Sequence, residues 1–218
     1  MTARHDVVAA CHRLAAAGLL IGTAGNVSVR TGDEVAITAT GVVLGAATPA
    51  DVTIVALDGT IVDGTLAPTS ELELHLGVYR ELGAGAVVHT HAPVSTAMSC
   101  VLDELPVIHY QMLLLGGAVR VAPFHAFGTP ELAAAVLDAL DGKLAALMAN
   151  HGSVTHAATL DGAVENALLL EWACAVYRDA AVVGTPRTLD ESQQLAVVEA
   201  ALSRGYGRTH TLDEEKKP

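Results

Sequence analysis

Residues 85–95 read GAVVHTHAPVS, a run that looks like a buried β-strand until it places two histidines one residue apart. Side chains on a strand point alternately to opposite faces, so His89 and His91 share one face while Thr90 turns to the other. Two imidazoles side by side at a strand's end suit a divalent metal ion. They equally suit strand-end histidines bonded to backbone or water, and the pair alone does not choose between the two. A third histidine, His151, stands between Asn150 and Gly152 in a triplet that reads as a turn. Glu71, in Pro68-Thr69-Ser70-Glu71, falls in the first turn of a helix, where the macrodipole favours negative charge.

The elements that would carry these groups follow from periodicity and turn chemistry. Apolar residues at Val7, Val8, Cys11, Leu14 and Ala15 predict an amphipathic helix over 4–17, which Gly18 ends. Short β-like runs at 27–30 and 34–38 join across Thr31-Gly32-Asp33, and 52–57 meets 60–62 across Asp58-Gly59. Ser70 and Glu73 have the spacing of a capping box, predicting a helix from about Glu71 to Gly83. The strand 86–91 follows, then a helix over 93–101, a β-like stretch 107–110 and a strand near 119–122. Thr129-Pro130 opens a helix to about Leu140, strands flank Asn150-His151-Gly152, and the longest helix runs over 161–182. The charged end, DEEKKP, reads as a frayed tail.

With 218 residues and no linker-like tract, the chain reads as one domain over 1–218, with a flexible tail from about residue 207. Hydrophobic residues make up 51% and aromatics only 3%, so the core is built from Ala, Val, Leu and Ile, which favours an α/β layered fold. A formal net charge of -12 disfavours nucleic acid and anionic membrane as partners. An anionic substrate would then be held by local amides, hydroxyls or a metal. Cys11, Cys100 and Cys174 form no CxxC and sit in apolar surroundings, as in reduced core positions of a cytoplasmic protein. The N-terminal segment, interrupted by His5, Asp6, His12 and Arg13, reads as neither signal peptide nor membrane span, so the expected setting is the cytoplasm.

Several separate signals fall at element ends, where layered α/β folds put their sites. In order they are GTAGNVSVR, ITATG, PTSELELHLGVYR, AVVHTHAPVSTAM, IHY, FGTPELA and MANHG before the long last helix. Together they resemble the class II aldolase/adducin family, in particular its fuculose-1-phosphate aldolase and ribulose-5-phosphate 4-epimerase group. The resemblance implies a three-layer α/β/α sandwich with a central, largely antiparallel sheet. It implies a divalent ion, usually Zn2+ with Mn2+ or Co2+ as substitutes, held by His89, His91 and His151, with Glu71 as a fourth, displaceable ligand. Three neutral imidazoles and a carboxylate are a chemically sound tetrahedral set. With those three in place, His75, one turn after Glu71, is read as structural.

By the same resemblance, a substrate phosphate falls on Asn26, Thr40, Gly41, Thr69 and Ser70. Helix-start amides and glycine loops can approach an anion closely. Thr69-Ser70 stands where the family normally has Ser-Ser, a change that keeps the hydroxyl. Glu71 would serve as the base at carbon, and Tyr110, reaching in from a neighbouring subunit, as the acid at the aldehyde oxygen. Phe127 would line the aldehyde pocket and Tyr206 would close it. His109, His125 and His156 are read as packing or surface residues. The implied activity is metal-dependent cleavage of a ketose 1-phosphate to dihydroxyacetone phosphate and an aldehyde by a homotetramer with sites at subunit contacts. The alternatives are a pentulose-5-phosphate 4-epimerase, which commonly has aspartate in place of Glu71, a sugar-acid phosphate decarboxylase, and an adducin-like interaction domain without metal.

Overall fold

The computed structural model describes residues 2–207. The charged end read as a frayed tail therefore lies outside the described residues. Helix α1 (Ala3–Ala16) leads into a four-strand antiparallel run: β1 (Asn26–Thr31), β2 (Glu34–Thr38), β3 (Val52–Ala56) and β4 (Ile61–Asp63). Helix α2 (Leu72–Leu82) returns the chain to β5 (Ala86–Thr90) beside β1. There follow α3 (Pro93–Ser99), β6 (Glu104–Leu105), β7 (Val119–Ala122), α4 (Pro130–Ala139), β8 (Ala145–Met148) and β9 (Gly152–Ala157). Helices α5 (Leu160–Val183) and α6 (Glu191–Arg204) complete the described chain.

One sheet holds nine strands in the order β4-β3-β2-β1-β5-β9-β8-β7-β6, and only β7 and β8 run parallel. Three hydrophobic clusters pack on the sheet, and strand alternation around its centre feeds two of them. Val35, Ile37 and Val87 pack under α2 and α4 with Leu76, Val78, Leu132 and Val136. Ala36, Ala86 and Val88 face the other way, toward Val7, Cys11 and Leu14 of α1 and Ala163 and Ala167 of α5. With helices on both faces, β5 is buried at every position, as a doubly covered strand must be. This is the three-layer α/β/α sandwich with a largely antiparallel sheet.

Four local expectations are corrected. Ser70 does not cap α2: Glu71 occupies the N-cap position, and its N–H donates to Thr69 Oγ1 at 3.3 Å. The amides of Thr40 and Thr69 bond to Ala67 and Thr38, which keeps residues 67–69 extended along β2. The helix consequently starts later, and Glu73 pairs with Arg80 at 2.8 Å instead of reaching back. Second, 107–110 is not a strand. The carbonyl of Val107 accepts from Leu189, outside the sheet, and Tyr110–Leu115 winds into a 3₁₀ helix whose Gln111 N–H donates to His109 Nδ1. Third, α6 went unread, although Asp190 and Gln193 make a reciprocal capping box at its start. Fourth, Cys11 and Cys174 are buried but Cys100 is exposed, at the end of α3. Among the described residues, no helix is long and apolar enough to cross a membrane.

Candidate metal centre

Three adjacent strands bring the chemistry together. Thr90 on β5 pairs with Ser153 on β9, so His91 and His151, each just outside its strand, become neighbours. On the other side Asn26 of β1 pairs with His89. Two backbone features aim His151 inward. Asn150 adopts the left-handed region at φ 55, which asparagine tolerates better than most side chains. Gly152 has no room for a side chain: a Cβ there would lie 2.4 Å from the Thr90 carbonyl oxygen and 3.2 Å from the His91 ring.

The three rings stand edge to face with centroids 4.8 to 5.0 Å apart, and one nitrogen from each lies within 4.8 Å of the others. The Nε2 atoms of His89 and His91 are 3.0 Å apart, close to the edge of about 3.3 Å expected between nitrogens on a tetrahedral zinc ion. Nδ1–H of His89 donates to the Ser153 carbonyl at 2.9 Å, which turns Nε2 toward the cluster, the usual backing for a metal-binding histidine. Burial, then the charges of His89 and His151, push His91 down to about 4, and burial followed by the His89 charge lowers His151. Both therefore present neutral rings at physiological pH. Burial works against charge on His89 too, but the Glu71 carboxylate and its hydrogen bond raise it.

Glu71 borders the cluster. Its Oε2 lies 3.0 Å from His89 Nε2 and accepts from Asn26 Nδ2 at 3.0 Å, while Oε1 lies 3.6 Å from His151 Nε2. Burial opposes the carboxylate's charge, yet His89, His151 and the Asn26 amide together hold it well below the usual carboxylate range. Oε1 is buried without a hydrogen-bond partner, a costly state that a cation shared with the imidazoles would relieve. The donor set, its spacing and this orphaned oxygen fit a divalent metal.

A cavity of about 580 Å3 opens over Glu71, His91 and His151. Asn26, Thr40, Gly41, Thr69 and Ser70 line it together with Phe127, so the structure gathers those sequence-selected positions around one space. His89 is buried beneath them. Tyr110 and Tyr206 do not line it. Their hydroxyls meet 3.3 Å apart in a separate apolar groove between the 3₁₀ helix and α6. His75 is also apart from the ligand cluster, buried against Asn26 and Ser28, and burial pushes it down to about 3.

Other cavity residues lie outside the positions selected from the sequence, and three of them stand out. His125, expected from the sequence to be a packing or surface residue, lines the cavity together with Phe124, Ala126 and Phe127. Phe124 stands there 64% exposed beside Phe127 at 70%. These are the only two phenylalanines in the chain, a signal that composition alone contained. Asn150 is the third, and its role depends on a φ that residue type does not fix.

Residues 5–178 match the sequence profile of the class II aldolase and adducin N-terminal domain. The chain belongs to the class II aldolase and adducin family. A family relative, the 5-deoxy-D-ribulose 1-phosphate aldolase of Bacillus thuringiensis serovar kurstaki, is 34% identical over 208 residues, covering 94% of this chain and 97% of the relative. The 5-methylthioribulose-1-phosphate/5-deoxyribulose-1-phosphate aldolase of Rhodospirillum rubrum is 34% identical over 198 residues, 90% of this chain and 89% of its own. Among solved structures of the family, an L-fuculose 1-phosphate aldolase superposes with a TM-score of 0.87 at 29% identity, covering 91% of this chain and 95% of that one. Within a family named for both enzymes and adducin, this chain is an aldolase-type lyase.

Proposed function

We propose that the chain cleaves a ketose 1-phosphate reversibly to dihydroxyacetone phosphate and an aldehyde, with a resident divalent metal, zinc by preference. The observation that carries this reading is the convergence of His89, His91 and His151 beside the partnerless Oε1 of Glu71 in one cavity. His89, His91 and His151 would hold the ion, with Glu71 as the displaceable fourth ligand. A divalent cation so held supplies Lewis-acid stabilisation of negative charge on oxygen.

The residues around the cavity divide the remaining work. Glu71, ionised and tethered through Oε2, moves the proton at the carbon next to the carbonyl. Thr40, Gly41, Thr69 and Ser70, with Asn26, form the wall assigned to the phosphate, where hydroxyls and backbone amides substitute for lysine and arginine, neither of which lines the cavity. Phe124 and Phe127 give the cavity an exposed apolar rim and narrow the preferred aldehyde to one with a hydrocarbon end. The 5-deoxy sugar named for the Bacillus relative ends in a methyl group, which fits that rim. Fuculose, a 6-deoxy sugar, also ends in a methyl group, so the rim fits both 5-deoxypentulose 1-phosphate and fuculose 1-phosphate and favours either over a sugar with a terminal hydroxyl.

In the cavity of a neighbouring copy Tyr110 would handle the proton of the oxygen that becomes the aldehyde, taking it away on cleavage and giving it back in synthesis, with Tyr206 closing over it. The support is its position: Tyr110 is 40% exposed and points into a groove away from its own chain's cavity. That assignment requires a homo-oligomer, read as a tetramer, formed by a one-domain chain in the cytoplasm.

The test is an assay coupled to dihydroxyacetone phosphate release over a panel of ketose 1-phosphates differing at the terminal carbon, with and without chelator. The expected result is chelator-sensitive release with higher kcat/KM for the methyl-ended substrates than for their terminally hydroxylated counterparts. Silence across the panel, with 4-epimerisation or decarboxylation found instead, would overturn the aldolase reading.

A further inference from the structure

Helix α2 and strand β1 meet along a line of buried polar side chains that the metal centre alone does not require. Glu71, His75 and Tyr79 recur every four residues on one helix face, about 6 Å apart. Asn26 and Ser28 recur every two residues on one strand face, about 6.7 Å apart. The near-equal repeats let the two sets interleave: Glu71, Asn26, His75, Ser28, Tyr79. Asn26 Nδ2 is 3.0 Å from Glu71 Oε2, and Asn26 Oδ1 bonds to His75 Nε2. His75 Nδ1 is 2.6 Å from Ser28 Oγ, which is 2.5 Å from the Tyr79 hydroxyl. Each of the five is at least nine-tenths buried.

Every hydrogen bond in the line has its direction set from the Glu71 end. A carboxylate only accepts, so Asn26 must present its NH2 there and turn its carbonyl oxygen to His75. His75 must then donate from Nε2, and a neutral ring that donates from Nε2 accepts at Nδ1. Ser28 donates to that nitrogen, and Tyr79 donates to Ser28. No member can reverse without setting two acceptors or two donors against each other, which is costly in a buried place.

We propose that His75, Ser28 and Tyr79 are positioning residues that lock the Asn26 amide so that it holds Glu71 by Oε2 and leaves Oε1 free to face the reacting centre. This rests on Glu71 being the base at carbon. Apolar side chains of similar volume at 28, 75 and 79 would seal the α2–β1 contact as well, so the polar line is explained by what it does to Glu71 rather than by packing.

The experiment has an arm that does not depend on turnover. In chelator-treated, 15N-labelled protein at neutral pH, His75 should show the Nε2–H tautomer; an Nδ1–H tautomer or a charged ring would overturn the proposal. In the zinc-loaded enzyme, His75→Leu should lower kcat at least about tenfold, with KM within about twofold and bound zinc near stoichiometric. His75→Gln, which can donate and accept at the same two places, should recover most of the lost kcat. Equal losses in both variants, or a loss confined to KM, would overturn it. If His75→Leu does not fold, Tyr79→Phe keeps the ring and removes one hydroxyl, and should reduce kcat a few-fold; unchanged kcat would count against the relay. Glu71→Gln separates the two readings: full activity there removes the base, whereas an inactive Glu71→Gln beside a fully active His75→Leu removes the relay alone.

Discussion

Oε2 of Glu71 sits 3.0 Å from Nε2 of His89, and the same oxygen takes a hydrogen bond from Asn26. The carboxylate is thus tethered to the protein on one oxygen while the other has no partner. Glu71→Gln keeps this shape and removes only the basic oxygen. It should retain the metal, by elemental analysis, while kcat drops by about 10²- to 10⁴-fold. His91→Ala should do the reverse in order of cause, lowering zinc affinity by more than about 100-fold in chelator competition, with activity lost as a consequence.

Gly152 opens β9 directly against the end of β5 and the rings of His89 and His91. Because a Cβ would meet the Thr90 carbonyl oxygen at 2.4 Å, Gly152→Ala must push the two strand ends apart. The expected cost is about 1–3 kcal/mol in denaturant unfolding, accompanied by weakened metal binding as His151 is carried away from His91. Asn150→Gly, at φ 55, accepts the same backbone without strain and should leave both measurements nearly unchanged.

Buried His75 titrates at about 3 in the folded chain against an ordinary value of 6.5, because burial disfavours its charged form. The unfolded chain therefore takes up the proton first. Stability from this group is fully present above about pH 6.5 and is lost as pH falls toward 3, amounting to about 2 kcal/mol by pH 5. Glu71 acts in a lower window: its depressed value contributes stability above the ordinary carboxylate range, lost only as pH falls through and below about 4.5. Between pH 7.5 and 5, unfolding of chelator-treated protein should show a steeper loss in the wild type than in His75→Gln. Parallel curves would contradict a neutral buried His75.

The layered fold was legible because each element announces itself locally: the helical spacing of α1, the Asp58-Gly59 turn, and the Thr129-Pro130 helix start. The convergence of His89, His91 and His151 was legible only through the family resemblance that the HTH and NHG segments help to carry, since each segment alone suits an ordinary strand-end or turn histidine. Residues whose state depends on a distant partner were not. Val107 goes to Leu189 rather than to the sheet, and the Ser70 cap loses to the extended hold of Thr38 on Thr69. The two repeats, Asn26 with Ser28 and Glu71 with His75 and Tyr79, stand openly in the sequence. Their meshing does not, because it depends on where α2 lies across β1. Phe124 and His125 were hidden for a related reason: a loop's side chains acquire a role only from the cavity it crosses.

Strand β5 is the fifth of nine, with β1 and β9 bonded along its two edges and helices over both faces. Fraying begins at edges, so the amide hydrogens of Val87, Val88 and His89 should exchange with solvent only when the whole sheet opens. A cation held by His89 on this strand and by His91 and His151 just beyond the strand ends would consequently escape through breathing of those flanking turns rather than through melting of β5.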